Sequence, residues 1–255
     1  MKPRVGILKA DGTNCDQETA YALEKVGFQT NIIPMNRLKT KKNFFAEFHL
    51  LVIPGGFSYG DDIASGKIFA LELFHYLRQE LEEFVKEGNL ILGICNGFQV
   101  LVQMGLLPFN NFGNKHATLT YNASGKFECR WITMLIQDSP CIFTKNLAGT
   151  QVTLPVAHGE GNFFTDDANM THLEQKHLAV LRYTKNGDAT QEYPYNPSGS
   201  DHALAGVCDP SGRIFGLMPH PERYIEYYHA PNWRRGQIKK PHGLLFFEQA
   251  FQYLT

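Results

Sequence analysis

The chain has 255 residues, and its 24 basic and 25 acidic side chains leave a formal net charge of -1, which gives no reason to expect a nucleic-acid or anionic-membrane partner. Hydrophobic residues make up 43% and charged residues 19%, values of a globular chain with one large core or two small ones. No apolar run approaches the ~18 residues of a membrane span, and the N-terminus lacks the charged and apolar regions of a signal peptide. Cysteines are scattered at 15, 95, 129, 141 and 208 with no C-x-x-C pair, so a reducing, cytoplasmic setting is expected.

In chain order, Val5 to Leu8 reads as a buried strand. Thr13-Asn14-Cys15-Asp16-Gln17 then reads as a helix start, with Asn14 as N-cap and Gln17 as its capping-box partner. Ala20, Leu23 and Val26 supply the apolar stripe, and Gly27 stops the helix. Strands follow over Thr30 to Ile33 and Leu50 to Ile53, the second halting at Pro54-Gly55-Gly56. Helical spacing runs from Ile68 to Lys86 and closes at Gly88. Leu90 to Ile94 is a fourth strand that runs directly into Cys95 and a helix over Gly97 to Met104.

Apolar strands alternating with helices predict an α/β fold, its central, mostly parallel sheet flanked by helices and its site at the edge where the strands end. From His116 onward, short alternating runs at 117–121, 127–136, 152–157 and 179–183 predict an added antiparallel section. A hairpin is expected over 205–208 and 214–218, turning through Asp209-Pro210-Ser211-Gly212. No repeat, low-complexity tract or linker interrupts the chain, so one domain over 1–255 is expected.

The chemistry concentrates in Gly93-Ile94-Cys95-Asn96-Gly97, which has the form of a nucleophile elbow with Cys in the Ser position. A sharp strand-to-helix turn demands small neighbours and sets the sulfur at a helix N-terminus, whose partial positive charge favours thiolate. A thiol nucleophile needs a base, and the base an orienting acceptor. His220-Pro221-Glu222, just after the expected strand 214–218, offers both, because alternate residues of extended chain share a side. The glycines of Pro54-Gly55-Gly56 permit close backbone approach, so an N–H there and that of Asn96 are candidates for an oxyanion hole. Taken singly, a lone Cys, an H-P-E turn and a Gly-rich loop are ordinary structural features; their order along the chain gives them weight.

Gly93-Ile-Cys-Asn-Gly-Phe-Gln99 together with His220-Pro-Glu222 resembles the class I, or triad, glutamine amidotransferases, whose fold is flavodoxin-like. Asp11-Gly-Thr-Asn-Cys-Asp16, Pro54-Gly-Gly-Phe-Ser-Tyr-Gly-Asp-Asp62, Pro155-Val-Ala-His-Gly-Glu-Gly161 and Met218-Pro-His-Pro-Glu-Arg223 are similar to the glutaminase of phosphoribosylformylglycinamidine synthase, in purine biosynthesis. The resemblance implies Cys95 as nucleophile, His220 as general base and acid, and Glu222 as orienting carboxylate. It also implies Gly56 as an oxyanion-hole residue and Gln99, Phe57 and His158 as lining for the glutamine pocket. It further implies a synthetase partner, with a small accessory subunit, that carries the ATP and magnesium chemistry. This chain has no G-x-x-x-x-G-K-[ST] loop, and no cofactor of its own is expected. Asn196-Pro197-Ser198-Gly199-Ser200 departs from the family pattern, which has Asn at the position of Ser198, and residues 224–255 form a longer tail than in the small free-standing glutaminases.

Other readings weigh less. His172 and His177 are five apart, which is not the i, i+4 spacing of paired ligands on a helix, so no metal is expected. Arg234-Arg235 and Lys239-Lys240 read as a solvated face or a partner contact. Cys15 reads as helix-start packing, since the sequence places no base beside it. A triad glutaminase serving another synthetase, or a non-catalytic scaffold of the same fold, are the alternatives. Intact Cys95, His220 and Glu222 argue against the scaffold.

Overall fold

A computed structural model describes residues 2–39, 43–235 and 240–255. The first half alternates strands and helices: β1 (Arg4–Lys9), α1 (Asp16–Val26), β2 (Gln29–Pro34), the short α2 (Met35–Leu38), β3 (Leu50–Ile53), α3 (Lys67–Lys86), β4 (Leu90–Ile94) and α4 (Asn96–Gln103). The second half contains β5 (Thr118–Thr120), β6 (Glu128–Ile136), β7 (Gln151–His158), β8 (Asn162–Phe164), α5 (Asp167–Gln175), β9 (Ala179–Lys185), β10 (Asp188–Ala189), β11 (Leu204–Cys208), β12 (Ile214–Leu217) and α6 (Gly243–Leu254).

Among the described residues, ten strands form one sheet, in the order β2-β1-β3-β4-β12-β11-β9-β6-β7, with β10 paired to β9. The strands from β2 to β12 in that order run parallel. The remainder join antiparallel through the β11–β12 hairpin. Burial is greatest at the centre of the sheet, where β11 too is wholly buried, and falls toward the edge strands β2 and β7. Every residue of β3, β4 and β12 is buried, as in a sheet covered on both faces. Along β7, by contrast, buried and part-exposed residues alternate, as when one face is solvated.

The helices cover the parallel part in two packed pairs, α1 with α6 and α3 with α4. Phe69, Ala70, Leu73, Leu77, Leu81, Phe84 and Val85 give α3 a buried stripe at helical spacing. Residues 224–255, expected as an extension, end in α6, whose Phe246, Phe247 and Ala250 are buried in the core. Within that tail Lys239 lies outside the described residues, Lys240 pairs with Glu248, and Arg234 lies over the ring of Trp233.

The start of α1 differs from the expected capping box. Cys15, not Asn14, is the N-cap, and no side chain caps the helix. Asn14 Oδ1 instead accepts from the Cys15 thiol at 3.2 Å, so it is spent locally.

The contact between α4 and the sheet is the tightest in this region. A Cβ added to Gly97 would lie 1.8 Å from the carbonyl oxygen of Ile53 on β3, and one on Gly93 would lie 2.6 Å from the carbonyl oxygen of Gly97. Backbone cannot yield as a flexible side chain does. Gly97→Ala is therefore expected to cost about 3 kcal/mol and to lower Tm by several degrees in thermal denaturation followed by circular dichroism. An unchanged Tm would show that the helix can retreat freely.

Candidate active site

Cys95 ends β4 and is the N-cap of α4, with φ 51° and ψ −104°, a conformation that non-glycine residues rarely adopt. Two backbone bonds hold it there: its N–H donates to Leu217 O at 2.8 Å, and its carbonyl accepts from the Gln99 N–H at 3.1 Å. Because Cys95 is the cap, Asn96 begins the helix, and its N–H has no acceptor within the helix. The thiol is 5% exposed and directs its hydrogen to Ala157 O at 3.7 Å.

The parallel register of β4 and β12 sets Ile94 beside Leu217, so the two chains leave the sheet at one edge. That brings His220 to the elbow, and its own N–H is tied to Pro155 O of β7 at 2.9 Å. His220 Nδ1 meets Glu222 Oε1 at 2.6 Å, and both side chains are buried. Nε2 is left without a partner and is the nitrogen free to exchange a proton. Burial, the largest influence, pushes the imidazole down. The Glu222 carboxylate, then Cys95 and Cys15, outweigh it and hold His220 well above the ordinary histidine range.

The loop after β3 closes over this centre. Gly56 has φ 144°, and a Cβ on it would lie 2.7 Å from Asn14 N, so the turn from β1 and the loop from β3 touch backbone to backbone. Phe57 N–H donates to Gly12 O at 3.0 Å and Tyr59 N–H to Asp11 O at 2.7 Å. The Asn96 side chain locks the loop to the elbow, accepting from Ser58 N–H at 3.3 Å and donating to Asp61 Oδ1 at 3.0 Å. Asn96 also donates to Gln99 Oε1 at 3.0 Å, and Gln99 Nε2 donates to Glu160 O at 2.5 Å. The Gln99 amide thus spans the gap between α4 and the β7–β8 turn.

His158 is buried at the end of β7, with Nδ1 3.0 Å from Asn122 Oδ1 and Nε2 unpartnered. Burial, and secondarily His220, push it down to about 3. Ser198 and Ser200, in the stretch that departs from the family pattern, bond to each other at 2.8 Å. Ser200 Oγ donates to Gly161 O at 3.0 Å, bracing the turn that follows His158. Phe57 is half exposed at the rim, its ring stacked on Phe127 with centroids 6.1 Å apart.

Cys95, His220, Glu222, Gly56, Asn96, Gln99 and His158 therefore meet at one edge of the sheet, with Phe57 on its border. Sequence reasoning missed Asn122, Glu160 and Asp61. Cys15 packs at the start of α1 as expected, buried as its N-cap, but its neighbours were not foreseen. A base does stand beside that residue: Cys15 Sγ, His220 and Glu222 present ligand atoms all within 4.8 Å of one another. A signal existed, since the Asp11-to-Asp16 string follows β1, a parallel strand that ends at this edge. These three are the described side chains with metal-ligating spacing. Arg223 donates to Cys15 Sγ at 3.1 Å, and its guanidinium, together with the His220–Glu222 pair, favours proton transfer over a divalent cation.

A family model described as the CobB/CobQ-like glutamine amidotransferase domain matches residues 2–254. The phosphoribosylformylglycinamidine synthase subunit PurQ of Treponema denticola is 46% identical over 88% of this chain and 89% of its own length. The subunit of the same name from Methanococcus maripaludis is 43% identical over 94% of this chain and 89% of its own. A chain from the structure of PurLQS from Thermotoga maritima superposes with a TM-score of 0.77, is 33% identical and is covered completely, as is this chain.

Replacing Glu222 by Gln removes the negative charge that raises His220, so the imidazolium loses its proton at lower pH. The alkaline limb of kcat/KM for glutamine is expected to move down by about 1–2 units, and the rate at neutral pH to fall on the order of 10²–10⁴-fold. An unmoved limb would mean that Glu222 does not set the charge of His220.

Proposed function

The chain belongs to the CobB/CobQ-like glutamine amidotransferase family, and we propose that it is the glutaminase component of phosphoribosylformylglycinamidine synthase, releasing ammonia from glutamine for a synthetase subunit. The observation that carries this reading is the elbow Cys95 at a helix N-terminus beside a buried His220–Glu222 pair, in a chain whose PurQ relatives match nearly end to end.

The Cys95 thiolate attacks the γ-amide carbon of glutamine, forming a C–S bond and an oxyanion. The N–H groups of Gly56 and Asn96 stabilise that charge as it develops. The His220 imidazolium gives its proton to the amide nitrogen, the C–N bond breaks, and ammonia leaves. A water molecule then gives a proton to His220 and attacks the thioester. The C–S bond breaks, glutamate departs, and the Cys95 thiolate and His220 imidazolium are restored. Glu222 holds His220 in the tautomer that exposes Nε2 throughout. Gln99, His158 and Phe57 shape the glutamine pocket.

ATP and magnesium chemistry, the conversion of formylglycinamide ribonucleotide to its amidine, belongs to the synthetase, with a small accessory subunit in the assembly. Among the described residues no helix is long and apolar enough to cross a membrane. A cytoplasmic setting is part of the purine-synthesis reading proposed above.

Cys95→Ala is expected to abolish glutamine-dependent amidine formation by the assembled enzyme while free ammonia still supports it. Mass spectrometry after treatment with a glutamine-like electrophile should find the adduct on Cys95, and labelling chiefly at Cys15 would overturn the assignment.

A second expectation concerns the partner. The oxyanion loop carries positive φ at Gly56, Tyr59, Gly60 and Asp61, and an error of about 1 Å in an oxyanion donor costs on the order of a hundredfold. Steady-state glutaminase activity is expected to rise at least about tenfold when the synthetase and its nucleotides are added. Equal turnover with and without them would show a site that needs no partner to align it.

A further inference from the structure

The Cys15 thiol takes no part in the chemistry above, yet it lies against the catalytic pair. It is 1% exposed. A Cβ built on Gly55 would meet Cys15 Sγ at 3.1 Å and His220 Cε1 at 2.7 Å, so thiol and imidazole line the same small space. Two directional bonds fix the sulfur: its S–H donates to Asn14 Oδ1 at 3.2 Å, and it accepts from Arg223 Nη2 at 3.1 Å. Arg223 is aimed from its other side, where Nε donates to Glu18 Oε1 at 2.8 Å. Burial raises the thiol to about 11, against smaller opposing effects led by His220, so the sulfur stays neutral at physiological pH.

Glu222 has one carboxylate oxygen on His220 Nδ1, while the other, Oε2, is buried without a hydrogen-bond partner. The neighbouring residue along the chain is Arg223, and a guanidinium is the strongest partner such an oxygen can find. In this structure the guanidinium is bound to sulfur and to Glu18 instead.

We propose that Cys15 is a positioning residue: its neutral thiol holds the Arg223 guanidinium off Glu222 and so reserves the carboxylate's charge for His220. The groups that act on the imidazole come from four segments: Glu222 from its own, Cys95 from the β4–α4 elbow, Cys15 from the β1–α1 connection and His158 from the end of β7. Arg223 is a cation whose position Cys15 sets. Without the sulfur, Arg223 turns to Glu222 Oε2, the carboxylate is shared between two cations, and His220 gives up its proton at lower pH.

The inference rests on the reading of the chain as a glutaminase, and one set of pH profiles separates the two. The chain is assembled with its synthetase, and kcat/KM for glutamine is followed against pH in four forms: wild type, Cys15→Ala, Cys15→Ala with Arg223→Met, and Arg223→Met alone. Cys15→Ala is expected to move the alkaline limb down by about one unit, and adding Arg223→Met is expected to return most of that shift, short of what Cys15 contributes to His220 directly. A packing defect alone would not be reversed by removing a second side chain. Arg223→Met alone, which needs no change at Cys15, is expected to leave the limb within about 0.3 unit of wild type. A limb that does not move in Cys15→Ala, or that stays as far displaced in the double variant as in Cys15→Ala, overturns the proposal. So does a limb that rises by about a unit in Arg223→Met alone, since Arg223 would then already draw on Glu222. Absence of glutamine turnover in the wild-type assembly would instead overturn the functional reading.

Discussion

The close approach of α4 to β3 is the constraint on which the site depends. With no side chain at 97, the helix lies against the backbone of Ile53, and the chain must turn from β4 into α4 within one residue. That residue is Cys95, whose left-handed φ costs on the order of 1–3 kcal/mol. Its bonds to Leu217 O and Gln99 N–H, and the buried apolar residues of α4, offset the strain. The same turn lifts the sulfur to the sheet edge, points the helix N-terminus at it and leaves the Asn96 N–H unspent. A looser helix would lose all three together.

The remaining groups arrive because the sheet changes direction at β12. As a parallel neighbour of β4, β12 delivers its following residues to the edge where Cys95 emerges; as the antiparallel partner of β11, it links in the strands that end in β7. From β7 come the carbonyl that anchors His220 and the His158 side chain. From the β1–α1 connection comes Cys15, 208 residues from the Arg223 that holds it. The contacts that bring these segments together therefore depend on long-range register, while the His220–Glu222 and Asn96–Gln99 bonds are local.

That dependence explains what could be read from the sequence. The bounds of β3 and β4 followed directly, because strands buried on both faces show as unbroken apolar runs ending at Pro54 and Cys95. The elbow and the His220–Glu222 pair were also legible, since both are local patterns tied to the ends of recognisable strands. Neither α5 nor α6 was anticipated. The α6 sequence is rich in phenylalanine and its N-cap, His242, makes no side-chain capping bond, while Gly243 at its start fits against Pro221 O for reasons that only the tertiary structure supplies. The environment of Cys15 was misread for a related reason. A thiol, a base and a guanidinium far apart in sequence share no pattern, and Asn14, the residue that looked like a cap, is turned toward the thiol.

Two buried histidines a short distance apart carry opposite charge preferences, and the difference lies in their partners. Asn122 Nδ2 donates to the carbonyls of Lys126 and His158, both at 2.8 Å, which leaves Asn122 Oδ1 as the acceptor facing His158. That oxygen also accepts from the Gly161 N–H at 3.0 Å, so His158 Nδ1 must be the donor and its Nε2 carries the lone pair. An amide oxygen brings no net charge to offset burial, and a proton on His158 would add a second cation beside His220. His158 accordingly stays neutral over the range in which His220, facing a carboxylate, holds its proton. Equal partners would have left the two rings competing for one proton and divided the site between two protonation states. An amide for one ring and a carboxylate for the other confine the mobile proton to the ring that faces the nucleophile.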